Sequence, residues 1–280
     1  MGNPSERLEH NLRQRVLRIC DDCNQEYDAT GQTVIERFAS SAKRFLCPQC
    51  RKGLLKEREL QFESQRLESL AYMRDEQCKK VIPPKFAAER LHTFDPTGNE
   101  RSFERIFEYV DKFPDGLPRG YDSLYISSQN NGVGKTHLAC AITHELIQRL
   151  KEHRQVSPYQ FIEAIRLKIA IHRGQAFGAK RSAEDIYEDA FSYWLLVLDD
   201  VGKEKLTPAD AAFAFEIYYT IINERYNRCL PLIITSNLPF QEPWVAGGMT
   251  LQDLIGPAAV SRLREMCRGE IIVIQGEDRR

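Results

Sequence analysis

Leu124-Tyr125-Ile126-Ser127-Ser128-Gln129-Asn130-Asn131-Gly132-Val133-Gly134-Lys135-Thr136-His137-Leu138-Ala139-Cys140-Ala141-Ile142 reads as an apolar strand, a loop with two glycines, a Lys-Thr pair and the start of a helix. The order has a chemical reason. Successive backbone N–H groups and the positive end of a helix can surround phosphates, Lys135 can neutralise β/γ charge, and the Thr136 hydroxyl can hold Mg²⁺. Asn131, Gly132, Val133, Gly134, Lys135, Thr136 and His137 are the residues expected to meet a nucleotide. One position departs from the Walker A pattern: its opening glycine is Gln129 here. Either Gln129 accepts a strained dihedral or the loop bends differently.

Two later segments continue the pattern. Leu195-Leu196-Val197-Leu198-Asp199-Asp200 is an apolar strand ending in two carboxylates, the form of a Walker B motif. Asp199 is expected to orient the Mg²⁺ water shell and Asp200 to polarise an attacking water. A single strand-end acid commonly caps the next helix; two acids after a fully apolar strand, downstream of a Lys-Thr loop, point to metal and water. In Leu232-Ile233-Ile234-Thr235-Ser236-Asn237 the Asn237 amide stands where it could hold the lytic water or a γ-phosphate oxygen, the sensor 1 position of AAA+ ATPases. Around these lie further apolar runs, so that the expected strands are Leu124–Ser128, Tyr159–Ile162, Trp194–Leu198, Leu232–Thr235 and Ile271–Ile274. Helix-like pieces such as Thr136–Leu150 and Pro208–Asn227 separate them. Strand and helix in alternation predict an α/β fold, a parallel sheet with helices on both faces.

On Gly132-Val133-Gly134-Lys135-Thr136-His137-Leu138-Ala139, Leu198-Asp199-Asp200-Val201-Gly202, Ile221-Ile222-Asn223-Glu224-Arg225-Tyr226, Ile234-Thr235-Ser236-Asn237-Leu238 and Ser261-Arg262-Leu263-Arg264-Glu265-Met266, residues 81–280 resemble the DnaC/DnaI/IstB branch of AAA+ ATPases. Ile82-Pro83-Pro84-Lys85-Phe86 looks like that family's lead-in to the ATPase domain, and Gly276-Glu277-Asp278-Arg279-Arg280 like its Gly-x-Asp-x-Arg ending. The resemblance implies a P-loop NTPase with a five-stranded parallel sheet of order 5-1-4-3-2. It also implies ATP binding with Mg²⁺, ATP-dependent self-association, assembly on single-stranded DNA and delivery of a replicative helicase. Loaders of this family carry an arginine finger one helical turn before the pair matched by Arg262-Leu263, and that place holds Ala258. Arg262 or Arg225 substitutes for it, or hydrolysis between subunits is weak; Arg262 is the reading favoured here, against a surface arginine in an ion pair.

The eight cysteines divide unevenly. Cys20-x-x-Cys23 and Cys47-x-x-Cys50 form two pairs, whereas Cys78, Cys140, Cys229 and Cys267 are scattered through segments that read as helix or core. Paired Cys-x-x-Cys elements in a reducing compartment point to metal, and four thiolates leave no open coordination position, so a Zn²⁺ held by Cys20, Cys23, Cys47 and Cys50 would be structural. Residues 1–53 are then a zinc-binding module, zinc-ribbon-like and too short for a self-sufficient core. It could bind a helicase, bind DNA or stabilise an arm; the resemblance to DnaI-type loaders favours the helicase. Leu54–Cys78, rich in Glu, Arg, Gln and Leu without Gly or Pro, reads as a helical linker over 54–80, either a solvated spacer or a segment docking a partner through Leu55, Phe62 and Leu70.

Charge narrows the remaining possibilities. In 280 residues, 39 basic against 40 acidic side chains give a net charge of -1, no global footprint for nucleic acid, so DNA contact must come from a local patch. Lys151, Arg154, Arg166, Lys168, Arg173, Lys180 and Arg181 face only Glu152 and Glu163 between residues 151 and 182. Arg166, Lys168 and Arg173 are the expected DNA contacts, with a solvated helix face as the rival. No apolar run approaches the about 18 residues of a spanning helix and the start shows no signal-peptide pattern, so a cytoplasmic protein without membrane contact is expected. Three functions remain: a helicase loader ATPase, an IstB-like transposition helper, and a hydrolysis-deficient ATP-binding adaptor in which Gln129 and Ala258 mark lost turnover.

Overall fold

A computed structural model describes residues 16–30, 45–113, 122–149, 159–163, 170–172, 180–203 and 208–278. The chain divides into two compact units, Met1–Ser69 and Leu70–Arg280. In the first, β1 (Leu17–Ile19) pairs antiparallel with β2 (Glu26–Asp28). The turn between them carries Cys20 and Cys23 and passes through Asn24 at φ +60°, a left-handed conformation that asparagine tolerates. Asp21 N–H donates to Phe45 O at 2.9 Å and so joins the turn to the second cysteine pair. The buried core here is Cys20, Tyr27, Ala29, Leu46 and Cys47.

Helix α1 (Pro48–Val81) starts with proline, whose missing N–H is no loss in a first turn, and runs 34 residues. It therefore takes in Cys50 and begins before the linker expected at 54. The unit boundary falls within it. Leu70, Met73, Gln77 and Val81 are buried in the second unit, so Leu70, a docking residue only in the alternative to a solvated spacer, is core, whereas Leu55 and Phe62 are exposed. After Pro83-Pro84 come two short 3₁₀ turns, Pro84–Phe86 and Leu91–Thr93.

The second unit is built on β3 (Leu124–Ser127), β4 (Tyr159–Glu163), β5 (Leu195–Val201), β6 (Leu232–Ser236) and β7 (Ile272–Val273), ordered β4-β5-β6-β3-β7 with every neighbouring pair parallel. Four strands have four to seven residues; the fifth, at the edge, pairs only Ile272 with Ile126 and Val273 with Ser127. The strand stops at Val273, one residue short of the run expected to extend to Ile274; Ile274 N–H still donates to Ser127 O at 2.8 Å, and beyond it Gln275 gives its N–H to the Asn99 side chain at 2.7 Å. Side chains alternate across the sheet as a period of two demands. Leu124, Ile126, Leu195, Val197 and Ile233 face α2 (Glu100–Lys112), α3 (Lys135–Gln148) and the end of α1. Tyr125, Leu196, Leu198, Leu232 and Ile234 face α4 (Ala183–Ser192), α5 (Pro208–Asn227) and α6 (Leu251–Met266). No described helix is long and apolar enough to cross a membrane.

Helices α4 and α6 each open on a capping box. Ser182 pairs with Asp185, and Thr250 with Asp253, each hydroxyl and carboxylate taking the other residue's N–H. Helix α6 kinks at Gly256 (φ 78°, ψ 162°) and Pro257, leaving Ala258 exposed in the first turn after the kink.

Arg225 is fully buried. Its guanidinium donates to Ala190 O at 2.7 Å, Trp194 O at 3.2 Å and Pro231 O at 2.7 Å, tying the end of α4 to the starts of β5 and β6. Burial pulls its pKa down to about 9. This overturns its candidacy as an arginine finger: a side chain locked under three main-chain carbonyls cannot reach across a subunit boundary.

Candidate nucleotide site and metal centre

The loop from Ser128 to Gly134 leaves the carboxyl end of β3 and turns into α3, the place in a parallel sheet where helix N-termini and strand ends converge. Gly132 (φ 72°) and Gly134 (φ 100°) both lie in the left-handed region. At Gly132 a second constraint operates, for an added β-carbon would lie 1.6 Å from Asp278 Oδ1. Gln129 is not among the described non-glycine residues with positive φ, which are Asn24, Asp200, Cys229 and Arg268. The loop thus opens by bending differently, without backbone strain at Gln129.

Lys135 is 6% exposed. Its ammonium is folded against the loop, donating to Ser128 Oγ at 2.7 Å, to Asn130 O at 3.4 Å and to Asn237 Oδ1. Asn237 in turn donates from Nδ2 to Asn131 Oδ1, and its carbonyl accepts the Trp244 indole N–H at 2.9 Å. The lysine and asparagine, 102 residues apart in sequence, are therefore in direct contact at one end of the sheet.

The two acids behave differently because the strand bulges under them. Leu198 pairs with Ile234 and Val201 with Ser236, so Asp199 and Asp200 together oppose the single residue Thr235. Asp200 takes the strain, at φ +60°. Asp199, 2% exposed, turns inward: both its oxygens accept from Thr136 Oγ1 at 3.0 Å, and Oδ1 also accepts from Thr235 Oγ1 at 2.6 Å. Asp200 turns outward, and its Oδ2 lies 2.6 Å from Lys203 Nζ. The Thr235 hydroxyl also accepts the Asp200 N–H at 2.9 Å, so one side chain sets the positions of both acids. Thr235 and Lys203 were not singled out in the sequence; the available signal was a hydroxyl following three apolar residues in Leu232–Ile234. Thr136 and Asp199 offer converging hard oxygen donors suited to Mg²⁺, beside a buried ammonium and a loop rich in N–H groups.

Not every expected residue joins this cluster. His137 lies against the Phe86 ring, centroids 4.7 Å apart, with Nδ1 3.8 Å from Glu89 Oε1. The Arg262 guanidinium lies 5.8 and 5.9 Å from the ring centroids of Tyr219 and Tyr226, and donates to Tyr219 OH at 3.5 Å. Its contacts thus join α6 to α5 and do not reach the phosphate loop. Arg166, Lys168 and Arg173 lie outside the described residues.

The sulfurs of Cys20, Cys23, Cys47 and Cys50 all lie within 4.8 Å of one another, with Cys23 and Cys47 3.8 Å apart. Tetrahedral Zn–S bonds of about 2.3 Å separate sulfurs by about 3.8 Å. Cys20 Sγ accepts the Cys47 N–H at 3.2 Å. Backbone N–H groups of Cys23 and Cys47 pull the Cys20 pKa down to about 6, while the Cys47, Cys23 and Cys20 sulfurs push that of Cys50 up. One thiolate is favoured and further ionisation is opposed, which a soft divalent cation would reverse. The donor set fits Zn²⁺ with no position left open. Of the other cysteines, Cys140 and Cys267 are buried, Cys78 is half-buried, and Cys229, which reads as helix or core in the sequence, is exposed at φ +55° past the end of α5.

The family model described as IstB-like ATP binding protein matches residues 126–280. The chain is 30% identical over 149 residues to "Uncharacterized protein YqaM" of Bacillus subtilis (strain 168), an alignment covering 52% of this chain and 41% of that one; the chain thus spans about two fifths of the length of the curated relative it matches. Among solved structures, the DnaC helicase loader superposes with a TM-score of 0.55 at 26% identity, covering 69% of this chain and 100% of that one. DnaI shares the fold, with a TM-score of 0.52 at 22% identity over 73% of this chain and 99% of that one.

Proposed function

Because the chain belongs to the family of IstB-like ATP binding proteins, we propose that it is an ATP- and Mg²⁺-dependent ATPase that loads a replicative helicase during replication initiation. The observation that carries the ATP reading is the contact between Lys135 and Asn237 beside the bond from Thr136 to Asp199. Mg²⁺ held by Thr136 and Asp199 would supply charge neutralisation at the phosphates. Lys135 exchanges its neutral oxygen partners for phosphate oxygens, which an ammonium prefers. That exchange frees Asn237 Oδ1, leaving an amide beside the γ-phosphate to position water. Asp200, aimed outward by the bulge and oriented by Lys203, takes the proton of the attacking water.

The loader reading draws support from the likeness to the DnaC helicase loader over that chain's whole length and from the four-cysteine cluster ahead of the ATPase unit. In it, residues 1–53 grip the helicase, and Arg166, Lys168 and Arg173 track single-stranded DNA in an ATP-ordered oligomer. Arg262, packed on tyrosines, is free of the phosphate loop and available to a neighbouring subunit. The test is co-purification of the full chain with its host's replicative helicase in the presence of ATP. Capture of that helicase by the intact chain and its loss on deletion of residues 1–53 are the expected results. Capture of a transposase in its place turns the reading to the transposition helper, and nucleotide binding without turnover turns it to the adaptor.

A further inference from the structure

The segment that follows β7 returns across the phosphate loop. Ile274 N–H donates to Ser127 O at 2.8 Å, the Gln275 backbone is clamped on both sides by the Asn99 side chain at 2.7 and 3.0 Å, and Gly276 O accepts Asn130 Nδ2 at 2.9 Å. A β-carbon on Gly276 would lie 3.9 Å from Val133. Two residues on, the Asp278 carboxylate rests on Gly132, its Oδ1 1.6 Å and its carboxyl carbon 2.2 Å from where a β-carbon would stand. A carboxylate thus stands at a loop whose left-handed glycines and N–H groups suit an anion. Ile274 is buried and anchors the segment, whereas the hydrogen bonds beyond it join neutral groups at exposed positions, which water can replace at little cost.

We propose that residues 275–278 are a displaceable occupant of the nucleotide site, with the Asp278 carboxylate held where it competes with the phosphates of ATP. The proposal rests on the ATP reading above and adds a regulation to it. A carboxylate and a polyphosphate repel each other at one loop, so ATP binding and the Asp278 contact exclude each other, and the apparent affinity for ATP is the intrinsic affinity multiplied by the fraction of time the segment is away. Anything that draws residues 275–278 off the loop, a neighbouring subunit or a bound partner, raises ATP affinity toward its intrinsic value.

The experiment is calorimetric titration of the full chain with Mg²⁺ and ATP, comparing the parent with Asp278→Asn, Asn99→Ala and Lys135→Ala. Asp278→Asn, which keeps the shape and removes the charge, is expected to bind ATP about 10-fold tighter, and Asn99→Ala, which releases the clamp without touching the loop, about 5-fold tighter. The gain from Asp278→Asn should shrink as salt rises. Equal or weaker binding by Asp278→Asn overturns the proposal, whatever Asn99→Ala does or fails to fold into. If Lys135→Ala loses binding while Asp278→Asn matches the parent, the occupant falls and the ATP reading stands. If Lys135→Ala binds as the parent does, the ATP reading falls and takes the occupant with it.

Discussion

The phosphate loop and the cysteine cluster are two sites of one chain, supported in opposite ways. Beneath the loop lie two buried clusters, one on each face of the sheet, with Ile126, Val197 and Ile233 on one side and Tyr125, Leu198 and Ile234 on the other. Around the sulfurs the buried residues, among those described, are Tyr27, Ala29, Leu46 and two of the cysteines themselves. Lys135, Thr136, Asp199 and Asn237 are thus carried by a core that would exist without them, so they can be altered one at a time and read for chemistry. Among the described residues of the cysteine unit the ligands make up much of the core, and an altered ligand is read first as unfolding.

The contrast breaks most clearly on metal removal. Structural zinc contributes about 10–16 kcal/mol of apparent binding free energy in small modules. Chelation, or Cys47→Ser, is expected to abolish the β1–β2 pairing and the fixed placement of Leu46 while the second unit melts within about 2 °C of the parent; amide exchange resolved by residue checks both. Persistence of β1–β2 without metal would break the comparison. Next in size is Arg225→Met, which strips two buried carbonyls and one part-buried carbonyl of their donor. A loss of about 3–5 kcal/mol is expected in urea unfolding of the ATPase unit, with zinc content unchanged.

Chemistry separates from support at the bulge. Asp200→Asn should lower ATP turnover by about 10²–10⁴-fold and shift ATP affinity less than about twofold, because the outward acid touches water and Lys203 and carries no packing. The smallest effect sharpens the picture most: Thr235→Val, near in volume, leaves the Asp200 N–H without its acceptor at a cost of about 1–3 kcal/mol. Turnover should then need more Mg²⁺ to reach its half-maximal rate, since Asp199 loses the hydroxyl donor Thr235. A Thr235→Val protein that lost stability with unchanged Mg²⁺ response would place the hydroxyl among the supports.

What could be read in the sequence follows the same division. Apolar runs predict all five strands, and the helix-like stretch Pro208–Asn227 between two of them predicts α5. Helix α2 carries Phe103, Ile106 and Val110 at helical spacing, a legible signal to which the sequence reading gives no weight, whereas α4 is only 10 residues long and offers few turns to read. The bulge at Asp199–Asp200 was invisible because an extra residue leaves composition untouched; strand alternation alone would set the two acids on opposite faces without disclosing that Thr235 serves both. Arg225 was misread for a physical reason as well. Burying a guanidinium is so costly that charge reads as surface, and only the three carbonyls around it show why the cost is met.

The short β7 has a consequence for the molecule in concentrated solution. A sheet edge with a long row of unpaired N–H and C=O groups is a template on which another chain can add a strand. On the β7 side that row is two residues long, and where it would continue, the Asn99 carboxamide occupies both the N–H and the C=O of Gln275, imitating a partner strand with a single side chain. An incoming strand finds no ladder there to extend, so this edge of the sheet resists self-templated aggregation by the very truncation that ended the strand.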